Sequence, residues 1–295
     1  MAEVSVIVPV YNEVDAIDTT IALLHHTLTR EKYTYELIII NDGSTDGTGT
    51  KLKLIEDREF IYLEHSSNRG YGAAIKTGVR RSKYPNIVIT DADGTYPIQE
   101  IPKLIADLAD FDMVVGQRAF ANLPGKTKPA KWFINKVASY IAETRIPDIN
   151  SGFRAFRKKS FNCFLPIIPN GFSLTTTLTL GMLIGGFDIK FIPIDYYIRE
   201  GKSKIRPIRD TYNFLRLIFK IGLFLAPLKI FLPVSFFLFL AGVAWGLISW
   251  LSLGKFADSS TIIILVSSLQ VLMLALVAEI INHRTPNFYK KTDNE

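Results

Sequence analysis

Two stretches near the carboxyl end of this chain, residues 230–254 and 259–278, contain no charged side chain. At about 1.5 Å per residue each is long enough, as a helix, to cross a hydrocarbon layer of about 30 Å. A helix that is apolar all round must be enclosed by protein or by lipid. The rest of a 295-residue chain is too small to enclose two of them on all sides, so the sequence predicts a transmembrane hairpin rather than a buried helical pair. Arg216, Lys220 and Lys229 precede the first stretch and Arg284, Lys290 and Lys291 follow the second, while the loop between carries Lys255 and Asp258. Lys and Arg favour the inner side of a membrane, which puts both ends of the hairpin on the cytoplasmic face. Trp245, Trp250 and Tyr289 are candidate interfacial anchors.

The formal net charge of +6 suits nucleic acid, an anionic membrane or a phosphorylated substrate equally. Position decides among them. Between Arg199 and Lys229 there are eight Lys or Arg against two acidic residues, directly before the apolar stretches, so membrane lipids and not nucleic acid are the expected partner. Residues 208–225 mix aromatic and aliphatic side chains with Arg209, Arg216 and Lys220, a pattern open to two readings: a helix in the membrane surface, or an ordinary packing helix. Cys163 is the one cysteine, so there is no disulfide framework, and a buried, inert thiol is expected. The amino terminus reads as a strand, not a signal peptide.

Between residues 4 and 116, β-rich runs at 4–10, 35–40, 60–63, 86–90 and 112–115 alternate with helical patterns such as 16–29 and 72–82. This order predicts an α/β fold with a mainly parallel sheet, whose ligands bind beyond the carboxyl ends of the strands. A further helical pattern covers 132–141. Residues 160–187 are free of charge, which raises a third span, but Pro166, Pro169, Asn170 and the threonines at 175–179 interrupt it. Residues 285–295 are expected to form a mobile tail.

The chemistry gathers at predicted strand ends. Asp91-Ala92-Asp93 follows the apolar run at 87–90 and sets two carboxylates two residues apart, hard oxygen ligands suited to Mg²⁺ or Mn²⁺. A solvated turn or helix cap explains the same triplet. Pro9, Val10, Tyr11, Asn12 and Glu13 end the first strand, and the segment from Asn41 to Thr48 ends the second, so these polar clusters are expected to converge on one edge. Asn12 or Asp46 can equally cap the next helix, and both readings can hold together. The Gly70, Gly72 pattern lacks the third small residue of a dinucleotide fingerprint. His25, His26, His65 and His283 lack metal-ligand spacing and are expected at the surface or in packing.

As an ordered set, Pro9-Val10-Tyr11-Asn12-Glu13, the Asp42 to Thr48 run, Asn68-Arg69-Gly70-Tyr71-Gly72-Ala73, Asp91-Ala92-Asp93, Gly116-Gln117-Arg118 and Asp148-Ile149-Asn150-Ser151-Gly152-Phe153-Arg154 resemble the family-2 glycosyltransferases of the GT-A fold, in the dolichyl-phosphate mannose synthase and polyprenyl-phosphate glycosyltransferase branch. The resemblance covers nearly the whole chain. It implies a cytoplasmic GT-A catalytic domain over 1–205, juxtamembrane interfacial helices over 206–228, two transmembrane helices over 229–282 and a cytoplasmic tail over 283–295. It implies inverting transfer of one sugar from a GDP- or UDP-sugar to dolichyl or another polyprenyl phosphate. Pro9, Tyr11, Glu13 and Asp42 would hold the nucleoside, and Asp91 and Asp93 the metal on the donor diphosphate. Arg118, Ser151 and Arg154 would face the acceptor phosphate, while Arg199, Ser203 and Lys204 would close over the diphosphate. Asp93, Arg118 and Arg154 are the catalytic candidates.

Guanidinium groups suit phosphate oxygens, although Arg118 and Arg154 can also be structural ion pairs and the 199–204 loop can simply face lipid. Three positions depart from the family pattern: Asn41 for a frequent Asp, Thr95-Tyr96 for Gln-His, and Phe172-Ser173-Leu174-Thr175 without an acidic residue. Glucose and N-acetylhexosamine therefore stand beside mannose. Two rival functions are a glycosyltransferase acting on a hydroxyl, which needs a general base, and a non-catalytic nucleotide-sugar-binding membrane subunit. The oligomeric state is left open, a homo-oligomer included.

Overall fold

A computed structural model describes residues 2–55, 59–119, 128–197, 207–254 and 258–284, with Tyr289 and Lys291. The chain divides into two units, residues 1–215 with 289–295, and residues 216–288.

In the first unit β1 (Glu3–Val10), β2 (Thr34–Asn41), β3 (Ile61–Glu64), β4 (Asn86–Ile89), β5 (Met113–Arg118), β6 (Arg154–Arg157) and β7 (Ile189–Ile194) form one sheet in the order β3-β2-β1-β4-β6-β5-β7. β1 pairs in parallel with β2 and β4, β2 with β3, and β5 with β7; β6 alone runs antiparallel, between β4 and β5. The strands read as continuous apolar runs because both faces are covered. Val4, Val6 and Val8 face one core with Ile17, Leu24 and Leu28 of α1 (Ile17–Arg30), Leu52 of α2 (Thr48–Leu54) and Leu104 of α4 (Ile101–Ala106). Ile7, Ile38, Ile87 and Ile89 face the other, with Ile75 and Val79 of α3 (Tyr71–Arg81), Phe161 and Phe164 of α6 (Lys158–Phe164), and Leu174, Leu178 and Met182 of α7 (Leu174–Ile184). α5 (Lys128–Ala142) buries Ile134, Ala138 and Ile141 at helical spacing.

The charge-free stretch at 160–187 is thus two short helices packed against the sheet and not a span. Three further expectations are corrected. Tyr289 is no interfacial anchor: its ring packs on Phe164 with centroids 5.8 Å apart. Within the expected mobile tail Lys291 is held in place: its Nζ lies 2.9 Å from Asp112 Oδ2 and 2.6 Å from Asp188 Oδ2, while its backbone N–H donates to Gly185 O at 2.9 Å. Cys163 is half-buried rather than buried.

The second unit is a helical hairpin, α9 (Pro227–Leu253) and α10 (Ser259–Arg284), entered through α8 (Pro207–Leu225), which spans the division between units. α8 buries Ile218, Ile221 and Leu225 and exposes Arg216, Phe219, Lys220 and Phe224. Ser235 Oγ donates to Ser268 O at 2.8 Å, tying α9 to α10, and Asn282 Nδ2 donates to Leu225 O at 2.9 Å. The outer surface of the pair remains apolar and open, with Phe237 69% and Leu251 80% exposed, so this chain does not itself bury the helices. Both are long and apolar enough to cross a membrane.

Candidate active site

Strands β1 to β4 end at one edge, and the antiparallel β6 begins there: Ile89 at the end of β4 pairs with Arg154 at the start of β6. Its reversed course delivers residues 148–153 to the carboxyl edge. On β5, Val115 also pairs with Arg154, so Gln117 and Arg118 reach past it.

At the β1 and β2 ends the two polar clusters interlock as expected. Asn12, at φ +58°, adopts the left-handed conformation that Asn tolerates better than most residues. Its backbone N–H donates to Ser44 Oγ at 3.0 Å, and its Oδ1 accepts from Thr45 N at 2.7 Å. Glu13 N donates to Thr48 Oγ1 at 3.1 Å, while Asp46 accepts from Val14 N at 3.3 Å and from Thr48 N at 3.0 Å. Partial burial raises the Asp46 carboxyl, but the bonds from Thr48 and Val14 outweigh it and hold it below the usual carboxylate value. Pro9, Tyr11 and Glu13 are partly exposed along this rim.

Asp42 is buried behind the rim. Its Oδ1 accepts from His65 Nδ1 at 2.6 Å and from Arg69 N at 2.9 Å, and its Oδ2 from Gly70 N at 2.8 Å, so it fixes the turn that opens α3. His65 Nε2 lies 3.0 Å from Thr77 Oγ1. The histidine that spacing alone assigned to surface or packing is a buried hydrogen-bonded strut, and only the fold, not the sequence, brings it to Asp42.

Asp93 Oδ1 accepts from Thr95 Oγ1 at 2.6 Å and Thr95 N at 3.2 Å, which holds the turn after β4. Asp91 faces the segment before β6: a Cβ placed on Gly152 would lie 3.1 Å from both Asp91 carboxylate oxygens and 3.1 Å from Tyr71 Oη. Gly152 is fixed there because its N–H donates to Tyr96 Oη at 2.8 Å. Tyr96, one of the departures from the family pattern, is thereby given work, and it stacks on Phe153. Tyr71 Oη is buried and makes no hydrogen bond of ordinary geometry among the described residues. Burial first, then Asp91, raises its pKa well above the ordinary value, so it stays protonated as a donor. Neither the role of Tyr71 nor that of Tyr96 is read from the sequence, although Tyr71 lies inside the quoted 68–73 motif and Tyr96 is one of the departures.

The two arginines differ. Arg118 forks onto Asp148, Nε to Oδ2 at 2.7 Å and Nη2 to Oδ1 at 2.9 Å, beneath the ring of Tyr196 at 5.4 Å. Burial opposes its charge, but Tyr96 and Asp148 together raise its pKa above the ordinary value. Arg154 is wholly buried, and among the described residues it has no carboxylate in salt-bridge range. Its guanidinium donates to Ser151 O, to Thr175 O at 3.3 Å and to Thr179 Oγ1 at 3.1 Å. Burial lowers its pKa to about 10, which leaves it charged at neutral pH. Beside it Ser151 Oγ is buried without a hydrogen-bond partner among the described residues. Thr175 and Thr179 belong to α7, and Thr175 lies in the 172–175 segment that carries no acidic residue.

Asp91 and Asp93 offer hard oxygens on one turn, and the side-chain-free Gly152 leaves space against Asp91, so the residues fit a divalent cation that completes its shell from a ligand's phosphate oxygens. Among the described residues no cluster of three His, Cys, Asp or Glu forms a self-sufficient metal site. Arg199, Ser203 and Lys204 lie outside the described residues.

Residues 5–165 match the family model described as Glycosyl transferase family 2, and residues 226–283 match the GtrB C-terminal hairpin. Among curated proteins the chain is 26% identical to an undecaprenyl-phosphate mannosyltransferase of Micrococcus luteus, over 68% of this chain and 86% of the relative. It is 26% identical to a dolichyl-phosphate hexose transferase of Haloferax volcanii, over 70% of this chain and 87% of the relative. Among solved structures, glucosyl-3-phosphoglycerate synthase of Mycobacterium tuberculosis, in complex with Mn²⁺, UDP and phosphoglyceric acid, superposes with a TM-score of 0.59 at 17% identity, covering 75% of this chain and 78% of that one. That likeness concerns the fold, and the GT-A fold expected from the sequence is the one present. The hairpin match and the two apolar helices together point to a membrane anchor.

Proposed function

Because the chain belongs to glycosyl transferase family 2, we propose that it transfers one hexose from a UDP- or GDP-sugar to a polyprenyl phosphate, dolichyl or undecaprenyl, with inversion at the anomeric carbon. One observation supports the reading: the Asp91 carboxylate and the turn leading to Arg154 meet across Gly152, so the Arg154 cation and the Asp91 and Asp93 carboxylates share one edge of the sheet. The names of the M. luteus and H. volcanii relatives support the acceptor class.

In this reading Pro9, Tyr11 and Glu13 form the rim that takes the nucleoside, with Asp42 bracing it from behind. Asp91 and Asp93 would hold Mg²⁺ or Mn²⁺, which supplies charge neutralisation at the donor diphosphate. Arg154, Ser151 and Tyr71 present a cation and two hydroxyl donors to phosphate oxygens, and Arg118 orients the Asp148 segment from which Ser151 comes. An ionised lipid phosphate attacks the anomeric carbon as the bond to the nucleoside diphosphate breaks. That oxygen carries no proton, so no general base is required and positioning with fixed charge is what the protein contributes. Arg199, Ser203 and Lys204 are assigned to cover the diphosphate.

The hairpin holds the catalytic unit at the cytoplasmic face, where Arg216 and Lys220 of α8 suit anionic lipid. An even number of spans returns the tail to the side from which the chain entered, in keeping with Lys291 contacting Asp112 and Asp188 of the catalytic unit.

The test is transfer of radiolabel from a panel of UDP- and GDP-sugars to dolichyl and undecaprenyl phosphate by protein purified in detergent, with Mg²⁺, Mn²⁺ or EDTA. Labelled lipid that disappears with EDTA is the expected result. Nucleotide-sugar binding without any labelled lipid would overturn the acceptor assignment.

A further inference from the structure

Asn41 stands where the family often has Asp, and the surroundings give a physical reason for the amide. Its side chain is buried at the end of β2, where Nδ2 donates to Glu64 Oε1 and to Tyr62 Oη, each at 3.1 Å, and Oδ1 accepts from Ser44 N at 3.0 Å. Glu64 lies opposite Asn41 in the β2–β3 register, and its other oxygen meets Lys53 Nζ of α2 at 2.6 Å. Gly49 makes room for the group, since a Cβ there would lie 2.6 Å from Asn41 Nδ2 and 3.2 Å from Glu64 Oε1. A carboxylate at position 41 would have no proton to offer and would replace the 3.1 Å hydrogen bond to Glu64 with a like-charge contact.

The contacts continue toward the rim. Ser44, whose N–H is held by Asn41, accepts from Asn12 N through its own hydroxyl at 3.0 Å. A line of hydrogen bonds therefore runs from the outer strand β3 through Glu64, Asn41 and Ser44 to the loop that bears Tyr11 and Glu13.

We infer that Glu64 and Asn41 are a matched positioning pair for nucleotide binding. Glu64 orients the Asn41 amide, the amide fixes the turn at 43–46, and that turn sets the height of the Tyr11 rim. The identities at 41 and 64 are coupled: a carboxylate at position 41 is compatible with this fold only when residue 64 can donate. The inference rests on the nucleoside role of that rim proposed above.

The experiment is equilibrium binding of UDP and GDP, with Mg²⁺, to the full-length chain in detergent, for the wild type, Asn41→Asp, Glu64→Ala, and Asn41→Asp combined with Glu64→Gln. Asn41→Asp is expected to weaken the preferred nucleotide about tenfold and the Glu64→Ala variant a few-fold, with KM for the lipid phosphate unchanged. The double variant moves the amide to position 64, from which it can donate to the carboxylate at 41, and returns to within about twofold of wild type. Wild-type affinity in Asn41→Asp, or a double variant no tighter than Asn41→Asp alone, overturns the pair. Glu64 is partly exposed, so Glu64→Ala decides the matter if the Asn41→Asp variant does not fold, and an unchanged affinity there also overturns it. A wild-type chain that binds neither nucleotide overturns the rim assignment and the pair together, whereas unchanged binding across variants of a wild type that does bind removes the pair alone.

Discussion

The two halves of the carboxyl edge treat their polar groups in opposite ways. From β1 to β3 the loops satisfy one another: Asn12, Ser44, Asp46, Thr48, Asp42 and His65 are joined by short hydrogen bonds, and the half is closed. From β4 to β6 the chain buries groups that it leaves incomplete, namely the Ser151 hydroxyl and the Arg154 guanidinium, whose hydrogen-bond acceptors among the described residues are all neutral. A saturated network makes a rigid wall, while an unsaturated buried one stores interactions for a ligand. In the reading proposed above, this contrast assigns the charge-handling chemistry to the second half.

The comparison can be broken at four points. Asp93→Ala removes one of the two carboxylates of the turn, and transfer should fall by a factor of about 10³ or more, measured as labelled lipid at saturating metal; retained turnover with normal metal dependence would remove Asp93 from the site. The arginines should then part company. Arg154→Met deletes a cation that has no carboxylate in salt-bridge range among the described residues, so transfer should fall by about 10³ while stability falls only by the hydrogen bonds to Ser151, Thr175 and Thr179, less than for Arg118. Arg118→Met strands Asp148 and should cost about 3–5 kcal/mol of stability in urea unfolding. If Arg154→Met is the less stable of the two, the half-edge contrast is wrong.

Gly152→Ala forces a methyl group to within 3.1 Å of the Asp91 oxygens and Tyr71 Oη, and should lower turnover about a hundredfold with little change in UDP or GDP affinity. The smallest effect belongs to the closed half. Asp46→Ala removes the acceptor for Thr48 and Val14 and should cost about 1 kcal/mol. Because the folded-state pKa of Asp46 is depressed, its contribution is present above the unfolded carboxyl value and is lost as pH falls through the folded one. The difference in melting temperature between Asp46→Ala and wild type should accordingly shrink toward acid pH.

The closed half was the more legible one. Continuous Val and Ile runs gave β1 and β2, and helical spacing gave α1 and α3, because local periodicity and burial agree there. The convergence of the Asn12 and Asp46 loops followed from parallel strand order. β6 and β7 escaped, since four and six residues among mixed neighbours carry little period, and the reversal of β6 depends on pairing with β4 and β5. The partnership of Arg118 with Asp148 spans thirty positions and that of Asp42 with His65 twenty-three, distances over which sequence pattern says nothing of contact. Both arginines were legible as candidates, but their difference was not, because it lies in whether a carboxylate stands opposite. The uncharged 160–187 stretch shows the converse: composition alone cannot separate helices that pack on a sheet from one that enters lipid.

The docking of Tyr289 and Lys291 makes the anchor an insertion between two segments of one folded body. A truncation ending before α9 would strip the catalytic unit of the ring beside Phe164 and the ammonium shared by Asp112 and Asp188. A water-soluble form of this enzyme is therefore better made by excision than by truncation, with a flexible linker joining residue 215 to residue 289 and the last segment left in place.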